Sequence, residues 1–358
     1  MLTVTSPQLA RILRTTLLAR HAGKASAFRG SVMVQGDTGI GKTDTVEHAF
    51  DETKCPECGD HFVPVVTQHL AQMAPEDIKG LYVYDIKESK VKLHGNPDFR
   101  LDSKCPICYL LDEYNQCERP LQKASLEFTL KHAVGGTPLP KGSVVILAGN
   151  RVADGADVED LVRPQRTRLS FVEFAFNWDA WKDWALRKGI HPFVLGFLNS
   201  KPSYCYKPDV NAMSGEALPR TWERTSEILY TFHADDQEVL VNGTIGDGVA
   251  AEFMGWVGTA GSLMPLIDRV IAGENVAAQE LSAQFFVNSV LTDRFARKPE
   301  GKLAERILQY AVYSADHNPE AAAVMQKDCC RVSVTHRDRM MQAPSWPKAV
   351  SRLSAFVV

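Results

Sequence analysis

A chain of 358 residues that is 45% hydrophobic and 23% charged can bury one large core or two ordinary ones, so it is expected to be globular. Its 40 basic and 43 acidic side chains nearly cancel, which gives no bulk electrostatic reason to expect nucleic acid or an anionic membrane as the main partner, although a locally basic pore stays possible. No apolar run approaches the roughly 18 residues of a membrane span, and arginines interrupt the N-terminal apolar positions, so a cytoplasmic location without membrane contact is expected.

The first half of the chain alternates helical and β-rich segments. Apolar residues at helical spacing predict helices over 7–21, 42–51 and 121–133. Short apolar runs predict strands over 31–35, 62–68, 109–113, 143–150 and 168–176. Because strands that alternate with helices usually form one parallel sheet, an α/β domain with five mostly parallel strands flanked by helices is expected.

The β-rich runs stop after about residue 177. The rest of the chain repeats apolar residues at spacings of three and four, which predicts a mainly helical second half. Packing roles are expected there for Trp178, Trp181, Trp184 and Trp222. Core or helix-capping roles are expected for His69 and His191, which sit in apolar or helix-start contexts.

The segment GDTGIGKT lies directly after a predicted strand and directly before a predicted helix. It fits the pattern G-x-x-x-x-G-K-[ST], in which glycines let successive backbone amides turn inward around phosphate oxygens. The lysine would reach the β- and γ-phosphates of ATP, and the threonine hydroxyl would ligate Mg²⁺. The residues expected to bind nucleotide here are Gly36, Asp37, Thr38, Gly39, Ile40, Gly41, Lys42 and Thr43.

Two further strands end in polar residues that suit the same site. The run YLLDE ends in Asp112, expected to hold Mg²⁺, and Glu113, expected to orient and deprotonate the attacking water. The run SVVILAGN ends in Asn150, which can sense the γ-phosphate or that water. Since the carboxyl ends of parallel strands meet at one sheet edge, these side chains should lie near the phosphate loop.

Three arginines precede the fifth predicted strand in LVRPQRTRLSFVEF: Arg163, Arg166 and Arg168. Arginine suits stabilisation of the charge on a transferring phosphoryl group, often from a neighbouring subunit. Each of the three could equally be a solvated surface charge.

The order GDTGIGKT, LLDE, LAGN, an arginine-bearing turn and then GEALPRTWERTSEIL resembles the AAA+ ATPases, and among them the MoxR-like branch, over roughly residues 5–235. The resemblance implies that Lys42 and Thr43 belong to Walker A, Asp112 and Glu113 to Walker B, that Asn150 is sensor 1 and that Arg220 is sensor 2. Arg168 aligns with the family's arginine finger, but Leu169 stands where the family tends to have Phe, so Arg166 stays in contention.

The resemblance also implies an organisation and an assembly. It suggests a nucleotide-binding α/β domain over 1–176, a helical lid over 177–240 and a C-terminal helical region over 241–358. Members form homo-oligomeric rings, usually hexamers, that remodel protein clients, often beside a von Willebrand type A protein. The family's channel-facing hairpin insert corresponds to residues 80–99, with Tyr82 and Tyr84 as candidate contacts; a solvated surface hairpin is the alternative.

Two C-x-x-C pairs, Cys55 with Cys58 and Cys105 with Cys108, each precede a predicted strand. The resemblance implies that these strands are parallel neighbours, so four thiolates would converge on a structural Zn²⁺ at the sheet edge opposite the nucleotide. His61 is a possible substitute for one cysteine. Reduced cysteines without metal are the alternative.

The function expected from these motifs is Mg²⁺-dependent ATP hydrolysis that drives remodelling of a protein partner. The alternative is a nucleic-acid-directed motor, or a subunit of a defence or restriction system, that uses the same ATP-hydrolysing site. A third alternative is a scaffold that binds nucleotide without hydrolysing it. Glu113 argues against it, because a proton acceptor for the attacking water is expected only where hydrolysis takes place.

Overall fold

The structure is a computed structural model that describes residues 3–24, 28, 30–151, 161, 163–209 and 215–356. The chain divides into two compact units, Met1–Asn177 and Trp178–Val358. The first unit contains all the strands of the described residues and the second is helical.

The first unit is built on a six-stranded parallel sheet in the order β1-β10-β2-β9-β6-β3. Its strands are β1 (Thr3–Val4), β2 (Ser31–Gln35), β3 (Val65–His69), β6 (Cys108–Asp112), β9 (Val144–Gly149) and β10 (Leu169–Phe174). Two hairpins add β4 (Leu81–Asp85) with β5 (Lys90–His94), and β7 (Ala133–Val134) with β8 (Thr137–Pro138). The predicted parallel sheet is therefore confirmed, with the two-residue edge strand β1 as an addition too short for any pattern to reveal.

The central strands explain why the prediction of a covered sheet succeeds. Every residue of β6 and β9 is buried, as expected for strands with helices on both faces. Above them Phe128 packs edge-on against both Phe99 and Tyr109. The Tyr109 hydroxyl donates to the Phe99 carbonyl, which satisfies the one polar atom of that ring.

The helices of this unit are α1 (Ser6–His21), α2 (Lys42–Glu47), α3 (Pro75–Lys79), α4 (Arg119–Ala124), α5 (Leu126–Lys131) and α6 (Arg163–Arg166). The predicted helix 42–51 stops at Glu47, and the predicted helix 121–133 is divided between α4 and α5 at Ser125. The second strand begins at Val65 rather than at Phe62, because Phe62 pairs with Lys54 in an antiparallel bridge within the preceding loop.

The second unit consists of helices α7 (Trp178–Lys188), α8 (Pro192–Ser200), α9 (Pro219–Thr231), α10 (Ala234–Ile245), α11 (Asp247–Gly261), α12 (Met264–Ala272), α13 (Leu281–Arg297), α14 (Gly301–Ser314), α15 (Pro319–Arg331), α16 (Val334–Met341) and α17 (Trp346–Leu353). Helix α8 is buried almost all round. A Cβ at Gly196 would lie 2.8 Å from the Trp256 ring, so only glycine allows this close packing. Within the part of the chain that the structure describes, none of the helices combines the length and the hydropathy of a membrane span.

Candidate nucleotide-binding site

The glycine-rich loop joins β2 to α2, as its sequence predicts. Gly39 and Gly41 have φ of +72° and +91°, a region that L side chains rarely adopt. A Cβ at Gly36 would lie 2.7 Å from the carbonyl oxygen of Phe174 on β10. These three glycines are therefore required by the backbone path itself, which is the turn that exposes amides to a phosphate.

Lys42 is buried within the loop that it ends. Its Nζ donates to the carbonyl oxygens of Gly36 and Asp37, at 2.8 and 2.7 Å, and to Oδ1 of Asn150 at 2.9 Å. The ammonium group thus connects the glycine-rich loop to the end of β9. A cation held at the carboxyl edge of the sheet is placed to meet an anionic ligand.

Thr43 and Asp112 meet although β9 separates their strands in the sheet. The Thr43 hydroxyl donates to Oδ2 of Asp112 at 2.6 Å, and Asp112 is only 7% exposed. A hydroxyl and a carboxylate are the hard oxygen donors that Mg²⁺ takes beside nucleotide phosphates. The pair therefore fits the expected cation.

Glu113 follows Asp112 with φ of +55°, and its amide donates to Oδ1 of Asp112 at 2.9 Å. A left-handed conformation is uncommon outside glycine, asparagine and aspartate, and holding it costs on the order of 1 kcal/mol. Strain of this kind is typical of functional positions. The conformation ends β6 sharply and leaves Glu113 half-buried at the same edge.

Asn115 belongs to this site and was missed from the sequence. Its Nδ2 donates to the Asn150 carbonyl at 2.6 Å, and its Oδ1 accepts from the Asn150 amide at 3.1 Å. A Cβ at Gly149 would lie 2.0 Å from that Oδ1, so glycine is required there. The sequence feature that could have identified Asn115 is its position three residues after Asp112, where the chain has just turned at the sheet edge.

His69 lies at this edge, where it precedes the 3-10 helix Leu70–Gln72 as its helix-start context predicted, although its side chain makes no capping hydrogen bond. It ends β3 directly opposite Asp112 in the strand register, with its Nδ1 4.0 Å from Oδ2 of Asp112. Its side chain is 49% exposed. His191, by contrast, does cap α8, because its Nδ1 accepts from the Phe193 amide at 3.1 Å.

The candidate finger arginine Arg168 lies at the opposite edge of the sheet. Arg163 and Arg166 are the first and last residues of α6. Arg168 precedes Leu169, which pairs with Ser31 at the start of β2. All three arginines are exposed. The five residues from Ser31 to the loop span about 17 Å, so Arg168 and the glycine-rich loop occupy opposite ends of β2.

Gln165, between Arg163 and Arg166, was also missed. It is fully buried, and its Nε2 donates to the Tyr114 hydroxyl and, at 3.3 Å, to the Gln122 carbonyl. It anchors α6 to the segment that follows Glu113. Arg220, the predicted sensor 2, lies in the first turn of α9 in the second unit and is exposed.

The cysteine pairs do not converge as a set of four. Cys55, Cys58 and Cys105 come together with His61, whereas Cys108 is fully buried within β6, paired between Val65 and Val144. Cys108 is already part of the strand, so its side chain belongs to the sheet core. His61, the predicted substitute ligand, completes the group of four instead of Cys108.

Comparisons with known proteins identify no family for this chain. A scan against protein-family models finds no match, and a search of curated protein sequences finds none either. Among solved structures, 94 chains match.

The structures matched include a protein from Cytophaga hutchinsonii that is provisionally described as an ATPase, with 14% identity, 66% of this chain and 81% of that chain covered, and a TM-score of 0.32. They also include NtrX from Brucella abortus, alone and in complex with ATP, each with 14% identity and a TM-score of 0.35. These two cover 97% and 95% of this chain and 67% and 69% of their own. Likeness at this level carries no argument about function, which has to come from the residues of this chain.

Proposed function

We propose that this protein is a Mg²⁺-dependent ATPase of the AAA+ class and MoxR-like type, which forms a ring and uses hydrolysis to remodel a protein client. The observation that carries the proposal is the meeting of Lys42, Thr43, Asp112 and Asn150 at one sheet edge, where the three strands β2, β6 and β9 end. A glycine-rich loop, a buried lysine and a hydroxyl–carboxylate pair in this arrangement are typical of triphosphate sites.

Each residue then has a definite task. The loop amides and Lys42 bind the phosphates, with the lysine donors moving from the Gly36 and Asp37 carbonyls to phosphate oxygens. Thr43 and Asp112 would hold Mg²⁺, which offsets the negative charge that develops on the phosphates. Glu113 accepts the proton of the attacking water, and Asn150, fixed by Asn115, orients that water or the γ-phosphate.

The positions of the arginines support an assembly in which subunits act on one another. Arg168 lies about 17 Å along β2 from the glycine-rich loop of its own chain, and Arg166 is two residues before it. An arginine at that edge can complete only the site of a neighbouring subunit. A closed ring, with six subunits as the expected number, gives every site such a neighbour.

The β4–β5 hairpin supports a protein client. Apolar side chains on both faces of β4 are solvent-exposed, with Tyr82 at 76% and Tyr84 at 58% on one face and Val83 at 47% on the other. Lys92, paired with Asp85 at 2.8 Å and Glu88 at 2.6 Å, holds the two strands together. An exposed apolar patch on a short hairpin is typical of an interaction site, here proposed to face the central channel. A von Willebrand type A protein is the partner class that the family resemblance suggests.

Substitution of Glu113 tests the proposal. In Glu113→Gln, ATP hydrolysis should fall by about two orders of magnitude or more while ATP binding persists, because only the proton acceptor is lost. Lys42→Ala should lose binding itself. Glu118→Gln, at the exposed glutamate that precedes α4, is the matched control and should hydrolyse ATP normally. Undiminished turnover in Glu113→Gln would remove the assigned role.

The client class is tested with the same variant. Affinity capture with the Glu113→Gln variant and ATP should retain a protein partner. The same variant with both Tyr82→Ser and Tyr84→Ser added should fail to retain it. Stimulation of the wild-type ATPase by single- or double-stranded DNA, together with no dependence on Tyr82 and Tyr84, would instead support the nucleic-acid-directed motor.

A further inference from the structure

Away from the nucleotide site, four metal-ligating side chains converge without any role in the proposed ATPase. The Cys–His cluster consists of Cys55, Cys58, His61 and Cys105, whose ligand atoms all lie within 4.8 Å of one another. Sγ of Cys58 is 3.8 Å from Sγ of Cys105 and 3.8 Å from Nε2 of His61. A tetrahedral zinc ion with bonds of about 2.3 Å to sulfur and 2.0 Å to nitrogen separates its ligand atoms by about 3.5–3.8 Å. The two distances from the Cys58 sulfur therefore already match a zinc site, and all the other distances within the cluster are at most 4.8 Å.

The loop that carries three of these residues is shaped around them. The Cys55 amide donates to the His61 carbonyl at 2.7 Å, and the Gly59 amide donates to the Cys55 carbonyl at 2.9 Å. Gly59 has φ of +76°, which lets the chain turn between Cys58 and His61. Lys54 and Phe62 close this loop with an antiparallel bridge. This is a small knuckle that turns Cys55, Cys58 and His61 toward one point.

The histidine is oriented as a metal ligand requires. Its Nδ1 lies 2.9 Å from the Phe62 carbonyl oxygen, and because a carbonyl can only accept, Nδ1 carries the hydrogen. The lone pair is then on Nε2, the atom that faces the Cys58 sulfur. A ligating histidine that donates its other nitrogen to a backbone carbonyl is the usual second layer of support at zinc sites.

The fourth residue arrives from a distant part of the chain. Cys105 precedes β6, and its amide donates to the Ser103 hydroxyl, which in turn donates to the Cys105 carbonyl. This turn holds Cys105 outside the sheet, while Cys108 has already entered it. The thiol of Cys105 therefore faces the knuckle across the amino ends of β3 and β6.

We propose that Cys55, Cys58, His61 and Cys105 bind one Zn²⁺ as a structural site that fastens the 54–62 loop to the segment before β6. Four protein ligands close the coordination shell, so the metal has no open position for catalysis. Cys58 and His61 are exposed, so the ion can reach the site in the folded protein. The site lies at the amino edge of the sheet, a strand length of about 17 Å from Asp112, and is independent of ATP binding.

Metal content of the full chain, purified without chelator, tests the proposal. Elemental analysis should give about one zinc per chain for the wild type and for Cys108→Ala, and less than about a fifth of that for His61→Ala. His61→Cys should restore the zinc, which distinguishes loss of a ligand from misfolding. Stoichiometric zinc in His61→Ala together with its loss in Cys108→Ala would overturn the ligand set, and a metal-free wild type would overturn the site.

A second measurement does not depend on variants that fold. Removal of the metal with a chelator should lower the thermal unfolding temperature of the wild type by several degrees, and Zn²⁺ should restore it, because a metal bound only by the folded state stabilises that state. Cobalt-substituted protein should show the visible absorption of a tetrahedral thiolate site. No thermal shift and no such spectrum would contradict the proposal.

Discussion

Asn115 is the residue on which the placement of Asn150 depends. Both polar atoms of its amide side chain bond to the main chain of Asn150, so it fixes the backbone that presents the Asn150 side chain to Lys42. It is 3% exposed, and neither bond can be replaced by water without opening the site.

Asn115→Ala should therefore lower the ATPase kcat about tenfold or more with little change in KM, since the positioning of Asn150 is lost while the phosphate loop is kept. Stability should fall by about 1–3 kcal/mol because the Asn150 main-chain groups lose their partners. Steady-state kinetics and chemical denaturation measure the two effects. Asn115→Asp keeps the acceptor for the Asn150 amide, so its kcat should lie between those of the wild type and Asn115→Ala. A kcat equal to wild type in Asn115→Ala would contradict the role of Asn115.

At the level of an element, the end of α5 holds a histidine whose protonation opposes folding. His132 has φ of +52°, its Nδ1 is 3.4 Å from the Arg20 guanidinium, and its Nε2 is 3.2 Å from the Ser31 hydroxyl. Burial, with the Arg20 charge in addition, lowers the pKa of His132 to about 4. The unfolded chain, where the pKa is about 6.5, binds the proton more readily.

The sign of the pH dependence follows from that difference. The contribution of His132 to stability is complete above about pH 6.5 and is lost as the pH falls towards 4, by on the order of 3 kcal/mol in all. Chemical denaturation at pH 7.5, 6 and 5 should show this decline, and His132→Asn, which tolerates the left-handed backbone, should reduce it. Identical pH profiles for the two proteins would contradict the assignment.

Helices α7 and α15 of the second unit share a buried ion pair. Nζ of Lys182 is 2.8 Å from Oδ1 of Asp328, and both side chains are 5% exposed. Lys182→Met should destabilise the unit by about 3 kcal/mol or more because it leaves a buried carboxylate unpaired. Asp179→Asn removes an exposed pair with Arg331 and should cost about 0.5 kcal/mol or less. The denaturant midpoints of the two variants measure these losses of stability. Equal losses in Lys182→Met and Asp179→Asn would show that Lys182 and Asp328 are solvated.

At the scale of the whole molecule, each subunit separates its nucleotide site from its candidate finger. The phosphate loop follows the carboxyl end of β2, and Arg168 lies beside the amino end of that strand. In the proposed ring, two different defects should therefore complement each other when the two variants are mixed.

Lys42→Ala and Arg168→Ala should each be inactive alone. An equal mixture that exchanges subunits should recover roughly a quarter of the wild-type rate, since one interface in four then pairs an intact loop with an intact arginine. Arg163→Ala is the control and should stay active. If Arg168→Ala is itself active, Arg166→Ala takes its place in the mixture; no recovery with either, in rings shown by native mass spectrometry to be mixed, would contradict an arginine acting between subunits.

The sequence by itself determined whatever is set over a few neighbouring residues. The turn from Gly36 to Thr43 follows from glycines that alone accept its backbone angles, and the buried strands follow from unbroken apolar runs. The polar residues at the ends of those runs predicted Asp112, Glu113 and Asn150 as residues of the site.

Only the tertiary structure decided which distant residues meet. Asn115 reaches Asn150 because β6 and β9 pair and end at one edge of the sheet, and His61 rather than Cys108 joins the cysteines because the strand register places Cys108 inside the sheet. Local patterns do not carry that register. It is fixed by how neighbouring strands pair and by the loops that lead into them, so the partners of these side chains appear only once the chain is folded.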